Sequence, residues 1–270
     1  MRLYTLDTGF FKLDGGAMFG VVPKTIWNKT NPADTNNLCT WAMRCLLVEE
    51  GDRLIVIDTG IGTKQDERFF SHYYLHGDAT LEKSLAAHGF TPNDVTDVFL
   101  THLHFDHCGG AVLPGGKLAF PKATYWSNET HWNWAVHPND REKASFLREN
   151  ILPIQESGQL RFLDAGAPFQ VRLVGGHTAA MMLPQIEYKG RTLVYMADLL
   201  PSVGHLPLPY VMAYDMFPLT TLQEKKAFLE EAVENQYILY FEHDPVNECC
   251  TLGRTEKGIR AVETFALKDL

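Results

Sequence analysis

The residues most suited to catalysis or metal binding lie in one short stretch, residues 101–110, THLHFDHCGG. It contains three histidines and one aspartate within six positions: His102, His104, Asp106 and His107. Side chains two positions apart in an extended segment point the same way, so His102 and His104 can bind one ion. Asp106 and His107 lie on the following turn, where they can address a second ion or a bound water. This pattern arises by chance in only about one of 1,000 sequences of this composition, which favours a metal site over a solvated histidine cluster.

The residues that follow the histidines suggest how the chain leaves the site. Gly109 and Gly110 are expected to allow a tight turn just past the ligands. Cys108 directly follows His107, but imidazoles and carboxylates already supply the ligands, so we predict a packing role for this thiol. The number of cysteines is odd and no CxxC pair occurs, which argues against a disulfide framework and favours a reducing cytoplasm. The cysteines are Cys39, Cys45, Cys108, Cys249 and Cys250.

Each of three further candidate ligands comes just after an apolar run that is predicted to be a strand. They are His177, Asp198 and His243. Open sheets place ligands beyond the carboxyl ends of their strands, so all three stand where a metal site would need them. Each residue alone could equally be a helix cap or a surface group. Their shared position favours a site with two metals.

The elements that must position these ligands follow from the hydrophobic pattern. Residues 42–49 and 53–58 are predicted to form a hairpin. Further strands are predicted at 95–100, 123–127, 169–174, 182–188, 192–196 and 237–241, and helices at 80–88, 139–150 and 222–235. Two half-sheets packed face to face with helices outside would accommodate this α/β order. We expect residues 1–270 to form a single domain.

Composition excludes several classes of function. The formal charge of −9 in a chain of 270 residues argues against a nucleic-acid binder and against an anionic membrane surface as partner. No run of 18 apolar residues is present, so no transmembrane helix is expected. Residues 1–10 lack the pattern of a signal peptide, which again favours the cytoplasm. We expect a small-molecule substrate, and a homodimer is left open.

The sequence resembles the metallo-β-lactamase-fold hydrolase superfamily over nearly the whole chain. The motifs that carry the resemblance are Ile57-Asp58-Thr59-Gly60, the box from His102 to His107, Gly176-His177-Thr178, Asp198 and His243. The resemblance implies an αββα sandwich of two mixed β-sheets with helices outside and the site along one edge. It also implies the ligand sets, which are His102, His104 and His177 for the first metal, Asp106, His107 and His243 for the second, and Asp198 for both. Asp58 would orient ligands from behind.

Two positions depart from the patterns of this superfamily. Its members often continue Gly-His-Thr as Pro-Gly-His, whereas this chain continues with Ala179-Ala180-Met181. Some lactonases carry a tyrosine three residues after the bridging aspartate, and this chain has Pro201 there. The first departure concerns the loop behind a ligand, and the second concerns the assignment to lactones in particular.

Within the superfamily, the chain looks like the branch of lactonases and organophosphate hydrolases. The spacing from His177 to Asp198 to His243 is similar to that of N-acyl-homoserine lactone lactonases, as is the segment at 16–24. The resemblance implies a hydrolase with two divalent ions, in which a metal-bridging hydroxide attacks a neutral ester or lactone with an apolar arm. Asp106 would orient the nucleophile and carry a proton to the leaving group. Zinc is the default metal for this ligand set, and iron, manganese or cobalt also suits it.

Other functions fit the same residues. A hydrolase of this fold could act on phosphotriesters, other esters or thioesters. A mono-iron thiol dioxygenase would need an open site for a single metal, whereas the presence of both Asp198 and His243 favours two metals. A zinc-binding scaffold without activity would be expected to lack a ligand, and none is missing from the set.

Substrate selectivity must come from residues around the metals, because the metals supply reactivity common to the whole superfamily. Three groups of large apolar side chains are candidates for the pocket wall: Met18, Phe19 and Val21; Trp126, Trp132 and Trp134; and the stretch 205–214. His131 and His205 are the other histidines expected near a pocket. No Arg or Lys occurs between Asp198 and Gln223. This composition favours a neutral substrate over a phosphomonoester or another anion.

Overall fold

The structure of the chain is a computed structural model that describes residues 1–163 and 166–270. Contacts divide the chain into two compact units. The first unit comprises Met1–Gly9 and Met43–Pro168, and the second comprises Phe10–Ala42 and Phe169–Leu270. Each unit is built around β-strands, and the chain passes from one unit to the other after Gly9, Ala42 and Pro168. The single domain expected for residues 1–270 stays a prediction.

The first sheet has six strands in the order β1 to β6. Their bounds are Arg2–Asp14, Leu38–Glu50, Arg53–Ile57, Asp97–Phe99, Thr124–Ser127 and Leu160–Phe162. Strands β2 and β3 pair as an antiparallel hairpin, whereas β3, β4, β5 and β6 run parallel to one another. Parallel strands place their carboxyl ends at one edge of a sheet. The loops that follow β3 and β4 therefore meet there.

The second sheet also has six strands, in the order β12-β11-β10-β9-β8-β7. In chain order their bounds are Gln170–Val174, Met181–Tyr188, Arg191–Tyr195, Ile238–Tyr240, Cys249–Thr255 and Gly258–Phe265. Its pairs are antiparallel except for β9 and β10, which run parallel. The residues that follow β9 and β10 therefore leave the sheet at the same edge.

Eight α-helices occur in the part of the chain that the structure describes. Helices α1 to α8 span Gly15–Phe19, Lys24–Trp27, Glu67–Ser71, Leu81–Ala87, Phe105–Cys108, Glu129–Val136, Arg148–Glu156 and Pro218–Glu234. None of these helices combines the length and the apolar composition needed to span a bilayer. The longest, α8, begins with a proline at its first position, where the missing N–H costs no hydrogen bond.

Most of the predicted elements are confirmed. The hairpin at 42–58 is present as β2 and β3, and the predicted helix at 80–88 is α4, with Thr80 capping its first turn. The helix predicted at 139–150 is wrong, because the Asn139 side chain accepts hydrogen bonds from the backbone of Arg141 and Glu142 and holds a turn instead. Regular helix begins only at Arg148.

The two mixed six-stranded sheets with helices confirm the predicted α/β fold class. A cluster of buried apolar side chains from β2, β3, β4 and β5 forms the core of the first unit. Trp132 belongs to this cluster, and its neighbour Trp134 packs against it. In the second unit the largest buried side chains include Trp27, Tyr195 and Phe228. These cores hold the strand ends from which the candidate ligands project.

Backbone strain occurs in the loop that departs from the family pattern. Ala180 has a φ of 54°, in the left-handed region that a Cβ atom disfavours. The superfamily that the sequence resembles often has glycine at this position, and glycine adopts this conformation without the steric penalty. The alanine therefore carries a conformational cost of about 1 kcal/mol, three residues beyond His177.

Replacing Ala180 with glycine should remove this strain. We expect Ala180→Gly to raise the free energy of unfolding by up to about 1 kcal/mol, as measured by urea denaturation. Ala86, an exposed residue inside α4, provides the control because glycine is unfavourable in a helix. Ala86→Gly should lower the same quantity by about 0.5–1 kcal/mol. Equal destabilisation by both substitutions would contradict the strain at Ala180.

Candidate metal centre

In the first unit, the ends of β3 and β4 build the frame of the site. Asp58 directly follows β3 and is fully buried, with a left-handed φ of 56°. Its carboxylate accepts hydrogen bonds from the backbone N–H of Thr101, at 2.8 Å, and from the hydroxyl of Thr101, at 2.6 Å. Asp58 thereby fixes the start of the segment that carries the first histidines.

His102 and His104 converge as the sequence predicts. The Nε2 atom of His102 lies 3.1 Å from the Nδ1 atom of His104. The other nitrogen of each ring is turned away from this point and donates a hydrogen bond. Nδ1 of His102 donates to the hydroxyl of Thr101 at 3.2 Å, and Nε2 of His104 donates to the carboxylate of Glu142 at 3.0 Å. These outer contacts leave the lone pairs of both rings directed at one point.

Asp106 and His107 lie on the short helix α5, which begins directly after His104. The Nδ1 atom of His107 donates to the Asp58 carboxylate at 3.1 Å, so Nε2 carries the lone pair. That Nε2 atom lies 3.8 Å from the carboxylate of Asp106. His107 is fully buried, whereas the side chain of Asp106 keeps slight solvent exposure. Both are therefore placed to bind a cation, and only Asp106 also reaches water.

Gly109 and Gly110 are needed for a reason that differs from the predicted one. Gly109 has an ordinary right-handed φ of −59°, so it makes no special turn. A Cβ atom on Gly109 would lie 2.1 Å from the carbonyl oxygen of Ile61, and one on Gly110 would lie 2.2 Å from that of Thr59. The glycines therefore allow the backbone after α5 to pack closely against the backbone after β3.

Cys108 packs inward, as predicted. Its thiol is fully buried and donates to the carbonyl of Leu103 at 3.3 Å. Burial raises the pKa of the Cys108 thiol to about 12, although the nearby Lys64 and His107 favour the thiolate. A thiol with so high a pKa is a poor nucleophile and a poor metal ligand at neutral pH.

In the second unit, a single carboxylate joins two histidines. Asp198 follows β9, and His243 follows the parallel neighbour β10. One oxygen of Asp198 lies 3.1 Å from Nε2 of His177, and the other lies 3.1 Å from Nε2 of His243. Each oxygen of this carboxylate therefore faces a different imidazole.

The outer nitrogens of these two rings are held as well. Nδ1 of His177 donates to Asp215 at 2.9 Å, and Nδ1 of His243 donates to the backbone carbonyl of Ala42 at 2.7 Å. Burial opposes the charged form of His177, but Asp198 and Asp215 outweigh it and raise the pKa of His177 to about 10. The carboxylates around this ring thus create a strong preference for positive charge.

The arrangement fits divalent ions by the chemistry of its donors. Each of the five candidate histidines donates a hydrogen bond through its outer nitrogen. The lone pair of the other nitrogen points toward another nitrogen or oxygen atom that could bind a metal. Two lone pairs about 3 Å apart repel each other unless a proton or a cation lies between them. Buried His and Asp side chains thus fit the dinuclear site of the fold. Zinc, iron, manganese and cobalt all accept this donor set.

The sequence analysis missed two residues of the site. Glu142 lies 38 positions from His104 and accepts further hydrogen bonds from Trp134 and Asn139. Asp215 lies 38 positions from His177, in an apolar stretch where a buried aspartate could have been suspected. Both act on a ligand from behind, and no fixed spacing connects such a residue to its ligand.

The other two histidines singled out from the sequence have structural contacts. Nε2 of His131 accepts the backbone N–H of Leu103, which lies between two candidate ligands. His205 stacks on Phe19 with ring centroids 4.5 Å apart, and its Nε2 donates to the carbonyl of Met18. Burial lowers the pKa of His205 to about 3, so this ring is neutral. His205 is therefore part of the packing of the second unit.

The structure does not support Trp126 and Trp132 as part of the pocket wall. Trp126 is buried and donates to Asp97 at 2.7 Å, and Trp132 belongs to the hydrophobic core. Trp134 reaches the site indirectly, since its indole N–H donates to Glu142 at 2.6 Å. In the N-terminal group, Met18 and Phe19 are buried, whereas Val21 is 91% exposed. Of these side chains, Val21 is the one most available for contact with a substrate.

Comparison with known proteins identifies the family. Residues 44–243 match the metallo-beta-lactamase superfamily, which is more than half of the chain. An N-acyl homoserine lactonase of Bacillus thuringiensis is 25% identical over 162 residues, which are 56% of this chain and 56% of that protein. The chain thus spans little more than half the length of the curated relatives it matches.

Solved structures agree with this match over almost all of the chain. A probable metal-dependent hydrolase from Staphylococcus aureus superposes with a TM-score of 0.91 at 28% identity, covering 100% of this chain and 98% of that one. The dizinc quorum-quenching lactonase AidC superposes with a TM-score of 0.82 at 24% identity, covering 98% and 95% of the two chains. The protein belongs to the metallo-β-lactamase superfamily. The sequence-based assignment to hydrolases of this superfamily is confirmed at the level of the family.

Glu142 provides a test of the contacts behind the ligands. Glu142→Gln should weaken metal binding by about 10- to 100-fold, because the amide no longer offers His104 a charged acceptor. Competition with a chromogenic chelator measures this affinity directly. Glu149→Gln is the matched control, since Glu149 is exposed on α7. Equal affinities in the two variants would contradict the role of Glu142.

Proposed function

We propose that the chain is a metal-dependent hydrolase that binds two divalent ions. His102, His104 and His177 would hold the first ion, and Asp106, His107 and His243 the second, with Asp198 shared by both. The observation that carries this proposal is the set of five histidines whose outer nitrogens are all held by acceptors, within a chain of this superfamily. A closed structural site would not need a carboxylate shared by two ions.

The proposed reaction is hydrolysis of an ester bond by water. When bound, divalent ions lower the pKa of a water and polarise the scissile carbonyl group. Asp106 is the only candidate ligand side chain with a second task, because it orients the attacking water and moves a proton to the leaving group. Its slight solvent exposure supports this role. Asp58, Glu142 and Asp215 keep the imidazoles in the tautomers that the site requires.

We propose a neutral ester or lactone with an apolar arm as the substrate, such as an N-acyl-homoserine lactone. The similarity to the Bacillus thuringiensis lactonase at 25% identity supports this class, as does the fold of AidC. The apolar side chains of Val21 and Phe217 are exposed in the second unit and offer surface for such an arm. Pro201, which replaces a tyrosine of some lactonases, makes phosphotriesters the alternative substrates to assay beside lactones.

The shared role of Asp198 predicts a specific loss of metal. Asp198→Ala should reduce the content from about two ions per chain to below one, because a bridging carboxylate serves both ions. His243→Ala should lower the content by about one ion only. Elemental analysis by mass spectrometry after dialysis measures both contents. Two tightly retained ions in Asp198→Ala would exclude the bridging role, and a single iron in the unaltered protein would favour the thiol dioxygenase.

The proposed substrate class predicts a dependence on the length of the acyl arm. Each added methylene should strengthen binding by roughly 0.8 kcal/mol until the apolar surface is covered, so KM falls along the series. Measuring kcat/KM for N-acyl-homoserine lactones with arms of four to about twelve carbons tests this. Paraoxon and a phosphomonoester serve as comparison substrates. A flat series together with faster phosphotriester cleavage would replace the lactone with the alternative substrate while leaving the two-metal chemistry in place.

A further inference from the structure

The second unit contains a cavity that the proposed reaction does not use. Its volume is about 500 Å³, and its walls come from residues 206–209, from α8 and from the hairpin of β11 and β12. None of the seven candidate metal ligands lines it. The cavity is large enough for an organic molecule of ten to twenty non-hydrogen atoms.

A buried lysine gives this cavity a fixed wall. The Lys225 ammonium on α8 donates hydrogen bonds to the carbonyls of Pro207, at 2.8 Å, and of Tyr210, at 2.9 Å. Lys225 is almost completely buried, and burial lowers its pKa to about 7, with a further contribution from the nearby Arg260. The segment 206–210 is thus attached to α8 through Lys225. The wall that it forms exists before any ligand binds.

The charge of the lining is opposite to that of the whole chain. The formal charge of the protein is −9, yet Lys226, Arg254, Lys257 and Arg260 line the cavity with Glu230 as the one carboxylate. Arg254 forms an ion pair with Glu230. Among the described residues, no carboxylate forms an ion pair with Lys226, Lys257 or Arg260. Three cations therefore face the cavity without compensation, which concentrates positive potential there.

The other part of the lining is apolar. Leu206, Leu208, Leu229 and Ile259 contribute side chains to it, and Leu206 and Leu229 are buried. An inorganic anion would satisfy only the cations, and a neutral apolar compound would satisfy only this surface. A molecule that carries both an anionic head and an apolar body matches the whole lining.

We propose that this cavity is a second binding site, separate from the metal centre, for an amphipathic organic anion. A medium-chain carboxylate is the simplest ligand of this class. Its head would lie among Lys226, Lys257 and Arg260, and its chain would lie against Leu206, Leu229 and Ile259. The proposal depends only on this cavity, so it holds whichever substrate the metal centre hydrolyses.

Binding to the metal-loaded, full-length protein tests the proposal. Calorimetry with decanoate below its micelle concentration should detect binding that weakens as salt is added. Decanol and inorganic phosphate are the two comparison probes, and each should bind at least about tenfold more weakly, a difference of about 1.4 kcal/mol. Hydrogen exchange should show protection by decanoate at residues 206–210 and 254–260. Protection confined to residues 102–108 would mean that decanoate binds at the metal centre and would overturn the proposal.

Charge-removing variants give the second arm of the test. The side chains of Lys226 and Lys257 are exposed and form no ion pair among the described residues, so the double variant K226Q/K257Q should fold normally. Decanoate should bind it at least about tenfold more weakly at low salt. The matched control is K117Q/K122Q, which removes two exposed lysines from the first unit. Equal decanoate affinity in the two variants, or equal affinity of the unaltered protein for decanol and decanoate, would refute the site.

Discussion

The candidate site depends on one repeated interaction, a buried histidine whose outer N–H donates to a fixed acceptor. A neutral imidazole has one donor and one acceptor nitrogen, and a hydrogen bond at one nitrogen decides which lone pair remains for a cation. His107 and His177 use carboxylates as acceptors, and His243 uses the carbonyl of Ala42. Without these contacts, each ring could rotate or change tautomer, and the lone pairs would no longer converge.

The second requirement is that the acceptors themselves must not move. Asp58 stands at the end of β3 and also accepts two hydrogen bonds from Thr101, so it ties the parallel strands β3 and β4 together at the edge where the ligands begin. The close approach of Gly109 to Ile61 extends this contact to the chain beyond α5. The cost of burying the Asp58 carboxylate is offset because hydrogen-bond donors surround it.

Most central strands could be predicted from the sequence, as could the edge strand β7, whereas β11 and β12 could not. The apolar runs that form β4, β9 and β10 are short and end abruptly in polar ligands, which reveals both the strand and its function. Strands β11 and β12 are half exposed and mix apolar with charged side chains, so their pattern resembles that of a loop. They become strands because they pair with each other and with β10.

A similar limit applies to the residues of the site. The ligand box at 102–107 is local and has a fixed spacing, so its types and order carry the prediction. Glu142 reaches His104 from a turn that the sequence suggested was a helix, because the helix-like composition of 139–150 hides the turn at Asn139. Contacts of this kind arise from tertiary packing alone, and no local pattern encodes them.

The acceptors behind the ligands differ in charge within each proposed ligand set. In the first set, His104 and His177 donate to carboxylates, whereas His102 donates to the hydroxyl of Thr101. In the second set, His107 donates to the carboxylate of Asp58, whereas His243 donates to the neutral carbonyl of Ala42. A carboxylate acceptor raises the basicity of an imidazole more than a neutral oxygen does. Each proposed ion would therefore meet at least one imidazole made more basic by a carboxylate and one supported by a neutral oxygen, which keeps the two positions similar in the strength of their histidine ligands.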